Sequence, residues 1–143
     1  MPDIFHSFTI NASPGKVFEC ISEPGGLDHW WTEHSEGKKE PGATYTLDFG
    51  PGFIWKAVVT KYQLNNSFEL QMTTADADWL ETKVGFSLNP KNALTEVNFY
   101  HTGWPKNNEH FRISNYCWAM YLRILRRYIE FGELVPYENR LSV

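Results

Sequence analysis

The sequence predicts an α+β fold: a curved antiparallel sheet wrapped around one long C-terminal helix, with two short helices near the N-terminus. Two observations carry this. From Asn107 to Gly132 there is no internal Gly or Pro, and Trp118, Leu122, Leu125 and Ile129 recur at the offsets of one helical face. From Ala43 to Gly103 apolar and polar residues alternate in short runs closed by turn residues, the mark of half-buried antiparallel strands. An amphipathic helix that follows such a sheet finds its partner in the sheet's apolar face.

In chain order, Ile4 to Ile10 reads as a first strand, with Ile4, His6, Phe8 and Ile10 on one side. Ser13 caps a helix whose first position is Pro14 and whose apolar face is Val17, Cys20 and Ile21, ending near Ser22. Pro24-Gly25-Gly26 breaks it, and Leu27, Trp30 and Trp31 suggest a second short helical turn. Glu33 to Gly42 is polar and rich in turn residues, the segment expected to be a mobile surface loop. Tyr45, Leu47 and Phe49 alternate in a strand, Gly50-Pro51-Gly52 turns, and a strand follows from Phe53 to about Tyr62. Asn65-Asn66 turns into Phe68, Leu70 and Met72. After the connection Ala75 to Asp78, Leu80, Thr82, Val84, Phe86 and Leu88 share a face opposite Glu81 and Lys83. Asn89-Pro90-Lys91-Asn92 reads as the next turn, before Thr95, Val97, Phe99 and His101 on one face and Glu96 and Asn98 on the other. Gly103-Trp104-Pro105 ends the sheet. The long helix then starts at an Asn107 or Asn108 cap, and Gly132 closes it; at 1.5 Å per residue it spans roughly 35 Å.

The 143 residues read as one domain, 1–143, without repeat or linker. Aromatic residues make up 16% and six are Trp, enough to wall a core or an apolar pocket. Net charge is −4, and the Arg123, Arg126 and Arg127 group is expected to solvate the outer face and end of the long helix, so nucleic acid is not an expected partner. No basic region precedes an apolar run, and no apolar stretch reaches membrane-spanning length, so neither a signal peptide nor membrane insertion is expected. Cys20 and Cys117 match no metal or redox spacing and read as reduced core thiols of a cytoplasmic protein.

The candidate site lies between helix and sheet. Strand parity points Phe49, Trp55, Met72, Val84, Phe86, Val97 and Phe99 at the long helix, either around an apolar cavity or filling it completely. The expected ligand-binding set is Trp31, Phe49, Trp55, Phe86, Phe99, Trp104 and Trp118 as apolar walls, with His101 and a helix tyrosine, Tyr121, orienting a polar group. Tyr116 is the other tyrosine considered. His101 is either a polar anchor or acid–base group, or an inward histidine bonded to its neighbours, and the sequence gives it no carboxylate partner. His29, Glu33 and His34 fall within six residues, but a helical turn would put only His29 and Glu33 on one face, half of a zinc-like arrangement. His34 would point elsewhere and the third ligand is missing, so no metal or other cofactor is expected. Glu81, Lys83 and Glu96 read as cross-strand charge pairs on the outward face. No nucleophile triad and no phosphate loop is recognisable, so no catalytic residue is assigned.

An ordered set of short matches resembles one family. It comprises Ile10-Asn11-Ala12-Ser13-Pro14, Val17-Phe18, Leu27, Trp30-Trp31, Pro41-Gly42, Trp79, Thr82-Lys83-Val84, Phe86, Leu88, Thr95 and His101-Thr102-Gly103-Trp104. In the long helix it adds Asn115, Trp118, Leu122, Leu125 and Glu130-Phe131-Gly132. This is similar to the START-like (SRPBCC) superfamily with its helix-grip fold, and within it to the group named after activators of the ninety-kilodalton heat-shock protein ATPase. The resemblance covers essentially the whole chain and implies a cavity, since relatives carry lipids, hormones or aromatic polyketides there. Three functions are expected from it. The first is a non-catalytic protein binding a small apolar or aromatic molecule. The second is a co-chaperone, although the chain reads as lacking the additional N-terminal domain of the eukaryotic activators. The third is a polyketide cyclase or aromatase, which would need His101, Tyr116 or Tyr121 to move a proton.

Overall fold

Seven strands form one antiparallel sheet: β1 (Ile4–Ile10), β2 (His34–Glu36), β3 (Thr44–Asp48), β4 (Ile54–Gln63), β5 (Ser67–Thr74), β6 (Lys83–Lys91) and β7 (Leu94–Thr102). Their spatial order is β1-β7-β6-β5-β4-β3-β2. The computed structural model describes residues 2–143, and Met1 lies outside the described residues. Pairing in register stacks inward side chains in rows, such as Ile4, His101, Val84 and Leu70, and beside it His6, Phe99, Phe86 and Phe68. Two register shifts between β4 and β5, at Lys56/Ala57 and Val59/Lys61, add twist and curl the sheet.

The concave face holds three helices. α1 (Pro14–Ser22) starts at Ser13, whose hydroxyl accepts from Lys16 N, and it leans on β5, β6, β7 and the long helix. α2 (Pro24–Leu27) begins at Pro24, so the Pro24-Gly25-Gly26 run starts a helix as well as breaking one. Proline at the first helical position needs no amide donor. α3 (Glu109–Phe131) is the long helix. Asn108 Oδ1 accepts from Phe111 N at 2.9 Å, and Gly132 closes the helix at φ 70°, a left-handed position that glycine occupies without strain. A short 3-10 helix, Tyr137–Ser142, follows and was not anticipated by the sequence.

Four further expectations need correction. The polar stretch Glu33 to Gly42 contains the edge strand β2, which buries Ser35 and pairs with β3. β6 begins only at Lys83; Leu80 is exposed, and Glu81 sits at φ 66° in a turn. The β6–β7 turn is tighter than Asn89 to Asn92, because Lys91 still pairs with Leu94 and Asn92 takes φ 59°. Finally, Glu81 takes no part in the outward charge pairing. Lys83 approaches Glu69 (4.0 Å) and Lys91 approaches Glu96 (4.0 Å). Glu69 is buried on the convex face, where the hydroxyls of Tyr100 and Thr60 donate to it.

Candidate functional site

Among the strands, α3 comes nearest to β1. Toward β3 and β4 the space beneath it is spanned by indole and phenyl rings, and there a cleft of about 240 Å³ opens. Its base is a closed circuit of five aromatic side chains. Trp31 meets Phe49 (centroids 5.4 Å apart), Phe49 meets Trp55 (5.3 Å), and Trp55 meets Trp79 (5.1 Å). Trp79 stacks on Trp118 (5.8 Å), and Trp118 returns to Trp31 (5.3 Å). These spacings are those at which aromatic pairs attract. The other wall is one flank of α3, Ile113, Ser114, Cys117 and Tyr121, with His110 at its start and Phe53 opposite.

Local structure explains how each ring arrives. Trp31 follows α2, its amide donating to Leu27 O at 2.8 Å, while the adjacent Trp30 turns into the core and donates Nε1–H to Cys20 O at 2.9 Å. Trp79 is carried by the β5–β6 connection, which coils tightly: Trp79 N donates to Asp76 O (2.9 Å) and Thr82 N to Trp79 O (3.0 Å). Its own Nε1–H reaches Ser114 Oγ at 3.4 Å, tying that connection to α3. Trp55 enters from β4, opposite Leu47.

Of the nine expected residues, Trp31, Phe49, Trp55, Trp118 and Tyr121 line the cleft. Phe86, Phe99, His101 and Trp104 do not. They lie one layer deeper and are almost wholly shielded from solvent, with Phe99 against Trp118 (4.5 Å) and Phe86 against Phe99 (5.1 Å). Sequence reasoning missed Phe53, Trp79, His110, Ile113, Ser114 and Cys117. Trp79 had one available signal: a tryptophan in a polar connection has no reason to be there unless it packs.

His101 is the polar centre of the deeper layer. Trp118 Nε1–H donates to His101 Nδ1 at 3.0 Å, which leaves the ring proton on Nε2, 2.8 Å from Thr82 Oγ1. Thr82 in turn donates to Trp79 O at 2.5 Å, so every member of the chain is satisfied. Burial, with a smaller contribution from the neighbouring His110, pushes the His101 pKa down to about 3. A neutral imidazole with both nitrogens engaged orients the indoles and has no proton to exchange near neutrality.

Titratable groups at the cleft itself are few. His110 Nδ1 lies 3.1 Å from Asp78 Oδ2 at the rim, and Asn108 Nδ2 donates to the same oxygen. Those bonds, the one from Asn108 foremost, hold the Asp78 carboxyl below its usual range. Burial raises the pKa of the Cys117 thiol and pushes that of Tyr121 up to about 12, so both are neutral donors toward the cleft. Elsewhere, His29 stacks on Tyr128 (4.3 Å) and His34 sits beside Glu36 (3.2 Å), so the two histidines serve different neighbours.

The division into wall and deeper layer has a measurable consequence. Phe86→Ala should cost about 3–5 kcal/mol, the usual loss for a large ring deleted from a filled core. Phe49→Ala, whose half-buried ring already borders open space, should cost roughly half as much. Urea denaturation of both variants compares them directly. Equal losses would mean that the cleft and the core are one packed mass.

The family model described as Activator of Hsp90 ATPase homolog 1-like protein matches residues 11–130. Among solved structures, the Aha1 dimer from Colwellia psychrerythraea is 28% identical, with a TM-score of 0.84 over 93% of this chain and 99% of that one. CalU16 from Micromonospora echinospora is 16% identical, with a TM-score of 0.76 over 98% of this chain and 81% of that one. DynU16, a putative protein in the dynemicin biosynthetic locus, is 18% identical, with a TM-score of 0.77 over 94% of this chain and 50% of that one. At those identities the last two share the fold alone. No curated protein matches the chain.

Proposed function

The chain belongs to the activator of Hsp90 ATPase homolog 1-like family, and on that premise we propose that it is a non-catalytic binding protein for a small aromatic or apolar molecule. The closed circuit Trp31–Phe49–Trp55–Trp79–Trp118 carries this reading. Five rings edging one cleft give a flat ligand faces and edges to stack on, while Ser114, Cys117 and Tyr121 supply a few polar atoms to fix its orientation. Size narrows the class. An engineered cavity of about 150 Å³ holds benzene, and drug-sized sites start near 300 Å³. A cleft of about 240 Å³ therefore suits a molecule of one or two fused rings, or a short acyl chain, rather than a polycyclic polyketide or a whole lipid. The enzyme reading loses support because His101 is neutral, bonded on both sides and beneath the aromatic floor.

One observation favours a second reading, docking of a chaperone or another protein. Phe53 and Ile113, on opposite sides of the cleft mouth, are each 51% exposed, an apolar rim of the kind protein partners cover. Native mass spectrometry on protein purified from its own host, followed by a fluorescence titration with 2-naphthol, separates the two. A stoichiometric small molecule, saturable quenching, and at least tenfold weaker binding in Trp55→Ala are the expected results. An empty protein that quenches with no one- or two-ring aromatic would overturn the carrier reading and leave the rim as the functional surface.

A further inference from the structure

The core-facing stripe of α3, Trp118, Leu122 and Leu125, is flanked on both sides. At 100° per residue, Ser114, Cys117 and Tyr121 lie to one side, along the aromatic cleft, and Ala119, Arg123 and Arg126 to the other. On that other side a second cleft of about 160 Å³ runs between α3 and the edge strand β1. It is lined by His6 and Phe8 from β1 and by Leu122, Arg123 and Arg126 from α3.

Its chemistry is unlike that of the first cleft. Arg126 is half-buried rather than spread on the outer face, which corrects the expectation that all three arginines solvate the helix. Among the described residues neither Arg123 nor Arg126 forms an ion pair, whereas the adjacent Arg127 is taken by Glu133. Two buried nitrogens at this cleft, Arg126 Nε and His6 Nε2, make no hydrogen bond within the protein. A buried guanidinium N–H without an acceptor costs free energy, and most such groups in folded proteins are matched. The chain carries a net charge of −4, yet no carboxylate reaches these two arginines. Guanidinium groups only donate, so what complements them is an acceptor with negative charge, best of all a planar carboxylate that takes two parallel N–H bonds. Phe8 and Leu122 form the apolar part of the same space.

We propose that this second cleft is a binding site for a small organic carboxylate, its head on Arg126 and Arg123 and its apolar body against Phe8 and Leu122. The volume is about that of a site that holds benzene, so the body is a single ring or a chain of similar bulk. The site is independent of the aromatic cleft and does not depend on what that cleft binds.

Benzoate is the probe, with benzamide as its uncharged counterpart, and the readout is the Arg126 Nε–H cross-peak in an NMR titration of the whole chain. The expected result is a saturable shift with benzoate at an affinity at least tenfold above that for benzamide. Arg126→Lys keeps the charge and loses the fork, and should weaken benzoate binding several-fold, followed through the Arg123 Nε–H cross-peak because the substitution removes the Arg126 signal. Arg123→Gln, at an exposed position that folding does not depend on, should weaken it as well, followed through the Arg126 signal. Trp31→Ala, in the aromatic cleft, should leave that signal's response to benzoate unchanged. A benzoate shift that never saturates, that benzamide matches, or that survives undiminished both in Arg123→Gln (read at Arg126) and in Arg126→Lys (read at Arg123) overturns the assignment.

Discussion

Lowering the pH from 6.5 toward 3 is expected to remove stability through His101 alone, at a slope of about 1 kcal/mol per pH unit in the middle of that window. In the unfolded chain this imidazole takes up a proton near its ordinary value of 6.5, whereas in the fold burial keeps it neutral down to about 3. Between those values the unfolded state holds more protons, so stability rises with pH across the window, is complete above it, and is lost as acid is added. The chain Trp118–His101–Thr82–Trp79 explains why the fold resists protonation: Nδ1 is occupied as an acceptor, and a proton there would face an indole N–H. His101→Asn keeps an acceptor for Trp118 and cannot be protonated. Urea unfolding of both proteins from pH 3 to 8 should give a wild-type curve that falls away from the variant's as pH drops. Asp78 and Glu133, each held low by hydrogen bonds, also lose stability in acid, but identically in both proteins, so their contribution cancels in the difference. Parallel curves would show that His101 is already charged in the fold, and the deeper layer would have to be redrawn around a cation.

What the sequence disclosed follows from which interactions are periodic. α3 was legible because a 3.6-residue apolar repeat, an Asn cap and a Gly stop all agree, and the inward rows of the sheet were legible because strands alternate with period two. The residues missed are those whose position depends on tertiary packing. Trp79 lies in a coiled connection where neither period applies, and Glu81 takes φ 66° there. β2 is three residues long, and its one buried side chain is a serine, bonded to Pro24 O and Asp28. Ser114 and Cys117 sit at the margin of the helix stripe, so counting alone could not show that this margin borders open space. The same holds for depth: parity correctly turned Phe86 and Phe99 inward, but it cannot distinguish the wall of a cleft from the layer beneath it.

Arg140 was the least legible residue of all, a single cation in a polar tail, and its removal should have the second large effect. The side chain is buried, and its guanidinium donates only to backbone carbonyls: Asp28 O at 2.7 Å, Val135 O at 3.1 Å and Thr32 O at 3.2 Å. Two of those carbonyls flank the turn that carries Trp30 and Trp31, so a fork at the C-terminal end holds the chain that delivers a cleft wall. Tyr137, in the same 3-10 helix, adds a second tie by donating its hydroxyl to Phe49 O at 2.9 Å. Arg140→Ala leaves three acceptors unmatched and should cost about 3 kcal/mol, since hydrogen bonds to a charged group contribute about 1.5–3 kcal/mol each before solvent partly replaces them. Arg140→Lys retains the charge but cannot reach three carbonyls in one plane, so it should recover less than half of that. The loss should also reach the ligand. With Trp31 and Phe49 less firmly held, 2-naphthol should bind several-fold more weakly to Arg140→Ala at temperatures where the variant is still folded. A variant that loses stability but binds as tightly as wild type would separate the two roles: the tail would then secure the fold, and the aromatic circuit would hold its shape without it.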